Sequence, residues 1–537
     1  MTAHQDLFGK ERMPPREQLP SVVYDRPELQ LPDRLNLVEQ LLDQAAARGF
    51  TDRPLLRSDR LTLSYGQARE RVDEIVRTLT QDLGLVPGNR VLLRGGNSIG
   101  LALAWLAVVK SGMIAVATMP LLRARELGDI IDKSQPVAAL CDVKLLDELN
   151  RVRVGRPALR TVVCFNAVPD MTALPAAPGP ATSVPEVACP TDADDIALMA
   201  FTSGTTGKPK AAMHTHRDVL AACEAWPRHV LRASPEDIVV GSPPLAFTFG
   251  LGGLLIFPMW AGASVYFPDS PYTPETLVRT FTQVGATICY TAPTFYRQMA
   301  PFVRVLGAGP LRISVSAGEG LPDATRQLWK DASGIEMTDG IGATELFHIF
   351  ISSPPQDVRR GAVGKVVPGY QARVVDDDGN ELPRHTVGKL AVVGPTGCKY
   401  LDDPRQASYV KDGWNYPGDA FLQDDDGYFF FQARADDMII TAGYNVGGPE
   451  VEDALLRHPA VAECGVIGKP DETRGMIVKA FCVLTPGQSG DEALVKALQE
   501  HVKATIAPFK YPREIEFVLS LPRTETGKLQ RFRLRQA

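Results

Sequence analysis

The sequence predicts an α/β fold of parallel sheets covered by helices, followed by a smaller antiparallel β unit and a compact α+β tail. Three observations carry this reading. From Asn36 onward, helical stretches alternate with short apolar runs, the pattern of strands joined by crossover helices. Past about residue 360 the character changes, and 370–376 and 389–394, joined through Asp378-Gly379-Asn380, read as antiparallel strands. From Asp437 the order becomes helix, strand, strand, helix, strand.

Residues 1–34 are Pro-rich and polar and read as an arm lying on the body. A helix is expected over 37–48, a strand over 90–94 after the turn Pro87-Gly88, a largely apolar helix over 99–110, and a strand over 113–118. Residues 167–190, rich in Pro and Ala, read as a surface connection. The run 196–201 reads as a buried strand, and 219–230 as a helix. Strands follow at 238–241, 287–292 and 311–316, with helices at 275–283 and 324–332. In the tail, helix 450–457 precedes strands 461–467 and 478–484. Helix 491–506 sets Leu494, Leu498, Val502 and Ile506 four apart on one face, and strand 514–519 closes the chain.

The 537 residues, 45% of them hydrophobic, suffice for several packed layers; length alone suggests about three or four domains. A net charge of −6, with both signs interspersed, gives no footprint for nucleic acid. The eight cysteines are scattered without CxxC or Cys/His ligand spacing, which argues against a disulfide framework and structural zinc and suits a reducing cytosol. The N-terminus has no apolar signal region, so a cytoplasmic location is expected. The uncharged stretch 242–268 is long enough for a membrane span. Pro258 and glycines 250, 252, 253 and 262 interrupt it, so it reads as a buried helix followed by a buried strand over 264–267.

The organising stretch is Thr202-Ser203-Gly204-Thr205-Thr206-Gly207-Lys208-Pro209-Lys210. A strand that empties into such a turn presents hydroxyls, backbone N–H groups and a lysine, a site suited to phosphate oxygens. Only two residues separate Gly204 from Gly207, so the Walker spacing is not met.

TSGTTGKPK, with GATE, YPGD, RADDMI and TGK later in the same order, resembles the acyl-adenylate-forming family of acyl-CoA synthetases, luciferases and peptide-synthetase adenylation domains. The resemblance runs from roughly residue 35 to the C-terminus. It implies a large N-terminal domain (1–435) of two α/β subdomains plus a small β unit. A small mobile α+β domain (436–537) follows, hinged near Asp436. The implied activity joins a carboxylate to the α-phosphorus of ATP and expels pyrophosphate, so positive charge, oriented N–H donors and Mg²⁺ are needed. By the same resemblance, Thr202, Ser203, Gly204, Thr205, Thr206, Gly207 and Lys208 hold the β and γ phosphates. Thr344 touches the α-phosphate, and Glu345 helps hold the metal. Asp339, Gly340 and Ile341 lie on the nucleotide side, where Ile341 replaces the usual aromatic; Gly318 and Glu319 form the adenine-side loop. Asp419 binds both ribose hydroxyls, Arg434 also contacts the ribose, and Lys528 bridges the α-phosphate and the attacking carboxylate. Gly443 and Tyr444 match the segment that lines the pantetheine channel when coenzyme A is the acceptor. Lys528 and Gly443 share one small domain and cannot both face the centre, so alternation about Asp436 is expected.

Segments 243–253 and 340–350 resemble aryl-CoA ligases of the 2-aminobenzoate and benzoate type. Phe249, Ala317, Gly342, His348 and Ile349 are then expected to line a flat acyl pocket, with His348 placed to meet the carboxylate or an ortho amino group, or else simply packed. A medium-chain fatty acid is the rival substrate. A separate carrier protein is the rival acceptor, and a non-catalytic binder the rival class. The expected partners are a small carboxylic acid, ATP and CoA, with no nucleic acid and no membrane; monomer and homodimer both stay open.

Overall fold

The computed structural model describes residues 1–166, 186–202, 209–434, 437–441, 444–471, 473–523 and 529–536. The expected phosphate-loop residues Ser203, Gly204, Thr205, Thr206, Gly207 and Lys208, the hinge Asp436, Gly443 and Lys528 lie outside them, as does 167–185 of the expected surface connection.

Four sheets organise the described residues. In the first, strands run in the order Thr161–Phe165, Ala138–Asp142, Arg90–Arg94, Ile114–Thr118, Ile196–Thr202 and Lys210–Thr215, parallel except for the last pair. The inner strands are buried on both faces, which is why they read as largely apolar runs, whereas the edge strand Thr161–Phe165 is half-buried. Helix Ile99–Lys110, buried along its whole length, packs against this sheet. A second sheet of nine strands is parallel through Pro54–Arg57, Ser264–Tyr266, Ile238–Gly241, Ile288–Thr291, Ile313–Ser316 and Met337–Gly342. It turns antiparallel at both ends, where Met337–Gly342 pairs with Ile349–Ser352 and Pro54–Arg57 with Thr62–Ser64. A third, antiparallel sheet holds Gln371–Val375, Gly388–Val393, Asp419–Gln423 and Phe429–Arg434. The fourth holds Ile439–Thr441, Tyr444–Val446, Val461–Asp471, Gly475–Leu484 and Glu514–Phe517.

The N-terminal arm lies on the body: Ser21 and Val23 bond to the carbonyls of Gly413 and Gly394, and Phe8 is stacked by both Arg12 and Arg90. In the uncharged stretch 242–268 the helical segments Thr248–Leu251, Gly252–Ile256 and Phe257–Ala261 follow one another without a gap, so Gly250, Gly252, Gly253 and Pro258 do not interrupt the helix; the expected order of buried helix and then strand, Ser264–Tyr266, holds. Gly262, at φ +78°, closes the last turn. No helix among the described residues is long and apolar enough to cross a membrane.

Two expected helices differ. The helix expected over 37–48 spans Leu37–Leu41 before a short 3₁₀ turn, and the guanidinium of Arg48 takes the Leu41 carbonyl at 2.7 Å. The helix expected over 219–230 begins earlier, as His216–Trp226, and a second antiparallel strand, Lys210–Thr215, stands between it and the glycine-rich motif. Thr202 and Lys210 are register partners, so the motif joins two antiparallel strands rather than a strand and a helix.

Candidate active site

Lys210, the last residue of the glycine-rich motif, reaches the centre of a small polar cluster. Its Nζ donates to the Tyr400 hydroxyl at 2.7 Å and lies 3.4 Å from Glu345 Oε1; the Tyr400 hydroxyl in turn donates to that same oxygen. The ammonium also sits 4.8 Å from the Tyr400 ring centre and 5.9 Å from that of Tyr409. Both contacts to Glu345 fall on Oε1 of a carboxylate that is otherwise buried. Tyr400 arrives because its backbone bridges to Ala212 on the strand that Lys210 begins. Burial and the Glu345 charge both hold its phenol protonated, pushing it far above the ordinary range.

Thr344 and Glu345 occupy the 3₁₀ turn Thr344–Leu346, which the buried ring of His214 holds from below: Nε2–H donates to the Thr344 carbonyl at 2.7 Å. Burial lowers His214 to about 4, so the imidazole is neutral at ordinary pH. The next residue, Phe347, has φ +69° and ψ −52°, and His348 N–H bonds back to the Leu346 carbonyl at 2.9 Å. This is the rare positive-φ γ-turn, a strained conformation for a bulky residue, and it is over-determined here by a fully buried ring packed edge-on to His214 and Phe257.

Beyond that turn, His348 lies in an aromatic cage. Its ring centre is 4.5 Å from Phe257, 5.3 Å from Trp226 and 5.6 Å from Phe249, and Phe249 is 5.7 Å from Tyr290. Burial lowers His348 to about 3. Phe249 is partly buried, whereas Ala317 and Ile349 are buried. A Cβ on Gly342 would meet the His348 carbonyl oxygen at 2.6 Å, and one on Gly340 would meet Ile349 Cγ2 at 2.6 Å, so both glycines permit close approach within one hairpin.

Asp419 and Arg434, fifteen residues apart in the chain, are register partners on adjacent strands; Arg434 Nη1 donates to Asp419 Oδ1 at 2.9 Å and to the Pro417 carbonyl at 3.0 Å. Gly418, at φ +85°, makes the turn that aims Asp419. Tyr409 is buried between this pair and Glu345, and feels the charges of all three. Asp339, on strand Met337–Gly342, is buried with Oδ1 unpartnered among the described residues, and burial pushes its carboxyl up to about 6. Ile341 stands partly buried on the same strand opposite Ile351. Gly318 takes φ +92°, and Glu319 accepts from Thr294 at 3.0 Å and from Arg523 at 3.4 Å. Thr202 closes its strand with Oγ1 unpartnered among the described residues.

Tyr444 stands apart from these groups, exposed on the hairpin Ile439–Thr441/Tyr444–Val446 and stacked on Phe509 at 4.6 Å. Arg523, by contrast, bridges Glu319 of the large body and Glu463 of the C-terminal sheet, the latter at 2.8 Å. Tyr400, Tyr409, His214 and Tyr290 belong to none of the recognised motifs. Their signal is spatial, since each is brought in by a strand pairing or helix packing that the local sequence does not announce. Among the described residues no three His, Cys, Asp or Glu groups gather as a metal cluster.

The AMP-binding enzyme family matches residues 43–399, and the AMP-binding enzyme C-terminal domain matches 450–528. A benzoate–CoA ligase of Thauera aromatica is 35% identical over 517 residues, covering 95% of this chain and 98% of that protein. A 4-hydroxybenzoate–CoA/benzoate–CoA ligase of Rhodopseudomonas palustris is 31% identical, covering 93% and 94%. The crystal structure of the anthranilate CoA ligase AuaEII in complex with anthranoyl-AMP superposes with a TM-score of 0.88 at 33% identity, covering 95% of this chain and 98% of that one.

Proposed function

Because the chain belongs to the AMP-binding enzyme family, we propose that it is an acid–CoA ligase that converts an aromatic carboxylic acid, of the 2-aminobenzoate or benzoate type, to its acyl-adenylate and then to its CoA thioester. The observation that carries the aromatic reading is the cage of Phe249, Phe257 and Trp226 around His348, three residues beyond Glu345, with Tyr290 behind Phe249 and Trp226. Flat rings prefer such edge and tilted neighbours. The printed activities of the relatives point the same way.

In the first half-reaction a carboxylate oxygen attacks the α-phosphorus of ATP, forming one P–O bond while the bond to pyrophosphate breaks. Lys528 and Thr344 stabilise the charge on the α-phosphate, while the hydroxyls and N–H groups of residues 202–208 receive the departing phosphates. Asp419 orients the ribose, and Arg434 holds Asp419 in turn. Gly318, Glu319, Asp339, Gly340 and Ile341 line the base. Mg²⁺ fits this site because Glu345 keeps one carboxylate oxygen clear of the Lys210 and Tyr400 contacts, and an ion that takes most of its ligands from phosphates and water asks for little more. When bound, Mg²⁺ supplies positive charge to the phosphate oxygens.

In the second half-reaction the CoA sulfur attacks the acyl carbonyl and AMP leaves. Gly443 and Tyr444 line the approach after the segment from 436 onward turns about Asp436. Residues 1–435 and 436–537 are then the two moving bodies.

Pyrophosphate exchange with benzoate, 2-aminobenzoate and hexanoate tests the reading, together with CoA-dependent AMP release. Aromatic acids are expected to exceed hexanoate, and Lys528→Gln to abolish exchange. Preference for hexanoate would overturn the aromatic assignment, and AMP release without need of CoA would overturn the acceptor.

A further inference from the structure

Two polar groups of the aromatic cage, the indole N–H of Trp226 and the phenol of Tyr290, have no hydrogen-bond partner among the described residues, and His348 beside them finds only the nearby backbone of Phe249, short of full hydrogen-bond geometry. They are 1%, 0% and 4% exposed. They come from three separate elements: the end of helix His216–Trp226, the strand Ile288–Thr291 and the residue after the Phe347 γ-turn. Trp226 joins the other two, 6.2 Å from Tyr290 and 5.3 Å from His348, and the partly buried ring of Phe249 lies beside both Tyr290 and His348. Buried donors and acceptors are satisfied in the great majority of proteins, and each one left bare costs stability. Other such atoms are scattered through the protein, but here they gather in one cage that adjoins the turn Thr344–Leu346.

The chemistry of the three groups says what they recognise. Trp226 only donates, Tyr290 donates and accepts, and His348, held neutral by burial with one ring nitrogen toward the Phe249 backbone, keeps the other to offer. None carries a charge, so the set does not compensate a buried carboxylate, whose place is beside the lysines. A neutral group that both donates and accepts matches all three. We propose that the cage reads a hydroxyl or amino substituent on the aromatic ring of the acid, through Tyr290, Trp226 and His348, and thereby selects substituted benzoates over benzoate itself. This inference rests on the aryl–CoA ligase reading above.

The test is kcat/KM of the purified full-length protein for benzoate and its 2-, 3- and 4-hydroxy and amino derivatives, measured in wild type, Tyr290→Phe and Trp226→Phe. A site built to bond a substituent rejects the analogue that lacks it, so the best substituted acid is expected to exceed benzoate by at least about tenfold. Each variant is expected to shrink that ratio by about tenfold. Wild type favouring benzoate, or both variants changing all acids by one common factor, would overturn the inference while leaving the aryl–CoA ligase reading intact. If a variant fails to fold, the wild-type panel still decides. Failure of every aromatic acid would overturn both.

Discussion

The carboxylate of Asp453 accepts the backbone N–H of Ala324 at 2.8 Å, so a side chain of the C-terminal α+β unit caps helix Asp323–Ser333 of the large body. The favour is returned. Arg297 of the body donates to the carbonyl of Leu456, the last residue of helix Gly448–Leu456, at 3.3 Å, and to Ala462 O at 3.1 Å. Each helix end left open by its own sequence is closed from across the boundary.

These reciprocal caps hold the orientation that brings Arg523 to Glu319 and leaves Tyr444 exposed. A helix cap contributes about 1 kcal/mol. Arg297→Ala combined with Asp453→Ala is therefore expected to slow pyrophosphate exchange several-fold, while AMP release from supplied acyl-adenylate and CoA is undiminished. Equal losses in both half-reactions would rule out a role in orientation.

Tyr400→Phe removes only the hydroxyl between Lys210 and Glu345 and keeps the ring packed edge-on to Tyr409 at 5.7 Å. A hydrogen bond to a charged group contributes about 1.5–3 kcal/mol. Adenylate formation is expected to fall about tenfold, with KM for MgATP rising and the thermal midpoint falling by about a few degrees. Wild-type kinetics at limiting magnesium would show that Tyr400 does not position Glu345.

Stability should depend on pH through four buried groups. Unfolded histidines take a proton near 6.5, whereas His214 in the fold waits until about 4, and His216 and His348 until about 3. Each therefore destabilises the fold as pH drops below 6.5. Asp339 acts in the opposite sense: its carboxyl is raised from 3.8 to about 6, so its contribution, complete below 3.8, is lost as pH rises through 6. Around pH 5 the unfolded chain holds a net two more protons on these groups, a slope of about 2.7 kcal/mol per pH unit. Asp339→Asn is expected to steepen this to about 4 kcal/mol per unit and to stabilise the protein above pH 6. Urea unfolding between pH 4.5 and 7 measures both slopes; identical slopes would contradict the assignment.

Gly342→Ala sets a methyl 2.6 Å from the His348 carbonyl oxygen, a backbone atom that cannot step aside. The expected cost is about 1–3 kcal/mol, with displacement of the Thr344–Leu346 turn and at least a tenfold fall in kcat. A wild-type melting curve and rate would mean the hairpin has more room than its backbone indicates.

The strands Arg90–Arg94 and Ile238–Gly241 and the helix Ile99–Lys110 coincide with their expected bounds because their buried interiors are apolar, and Arg90, Arg94 and Lys110 mark the ends. The strand expected over 461–467 instead runs Val461–Asp471, through Lys469 and Pro470, because its partner Gly475–Leu484 extends it by pairing rather than by apolarity. At the candidate site, Glu345, Asp419 and Arg434 stand in motifs that the sequence displays, and the structure adds that Asp419 and Arg434 bond to each other. Tyr400 was not legible, since its hydroxyl meets Glu345 only after 399–401 pairs with the strand Lys210–Thr215. Likewise His214, on the strand Lys210–Thr215 that the sequence did not announce, becomes a support for Thr344 only by tertiary approach.

The kink at Phe347 ties Glu345 and His348 to one short piece of backbone, so the residue proposed to serve the nucleotide and the residue proposed to serve the acid cannot be adjusted separately from that side. Change of diet is cheaper from the opposite wall, where Tyr290, Trp226 and Phe249 ride on elements of their own. Directed evolution toward new acids should accordingly accumulate its mutations there and spare residues 344–348.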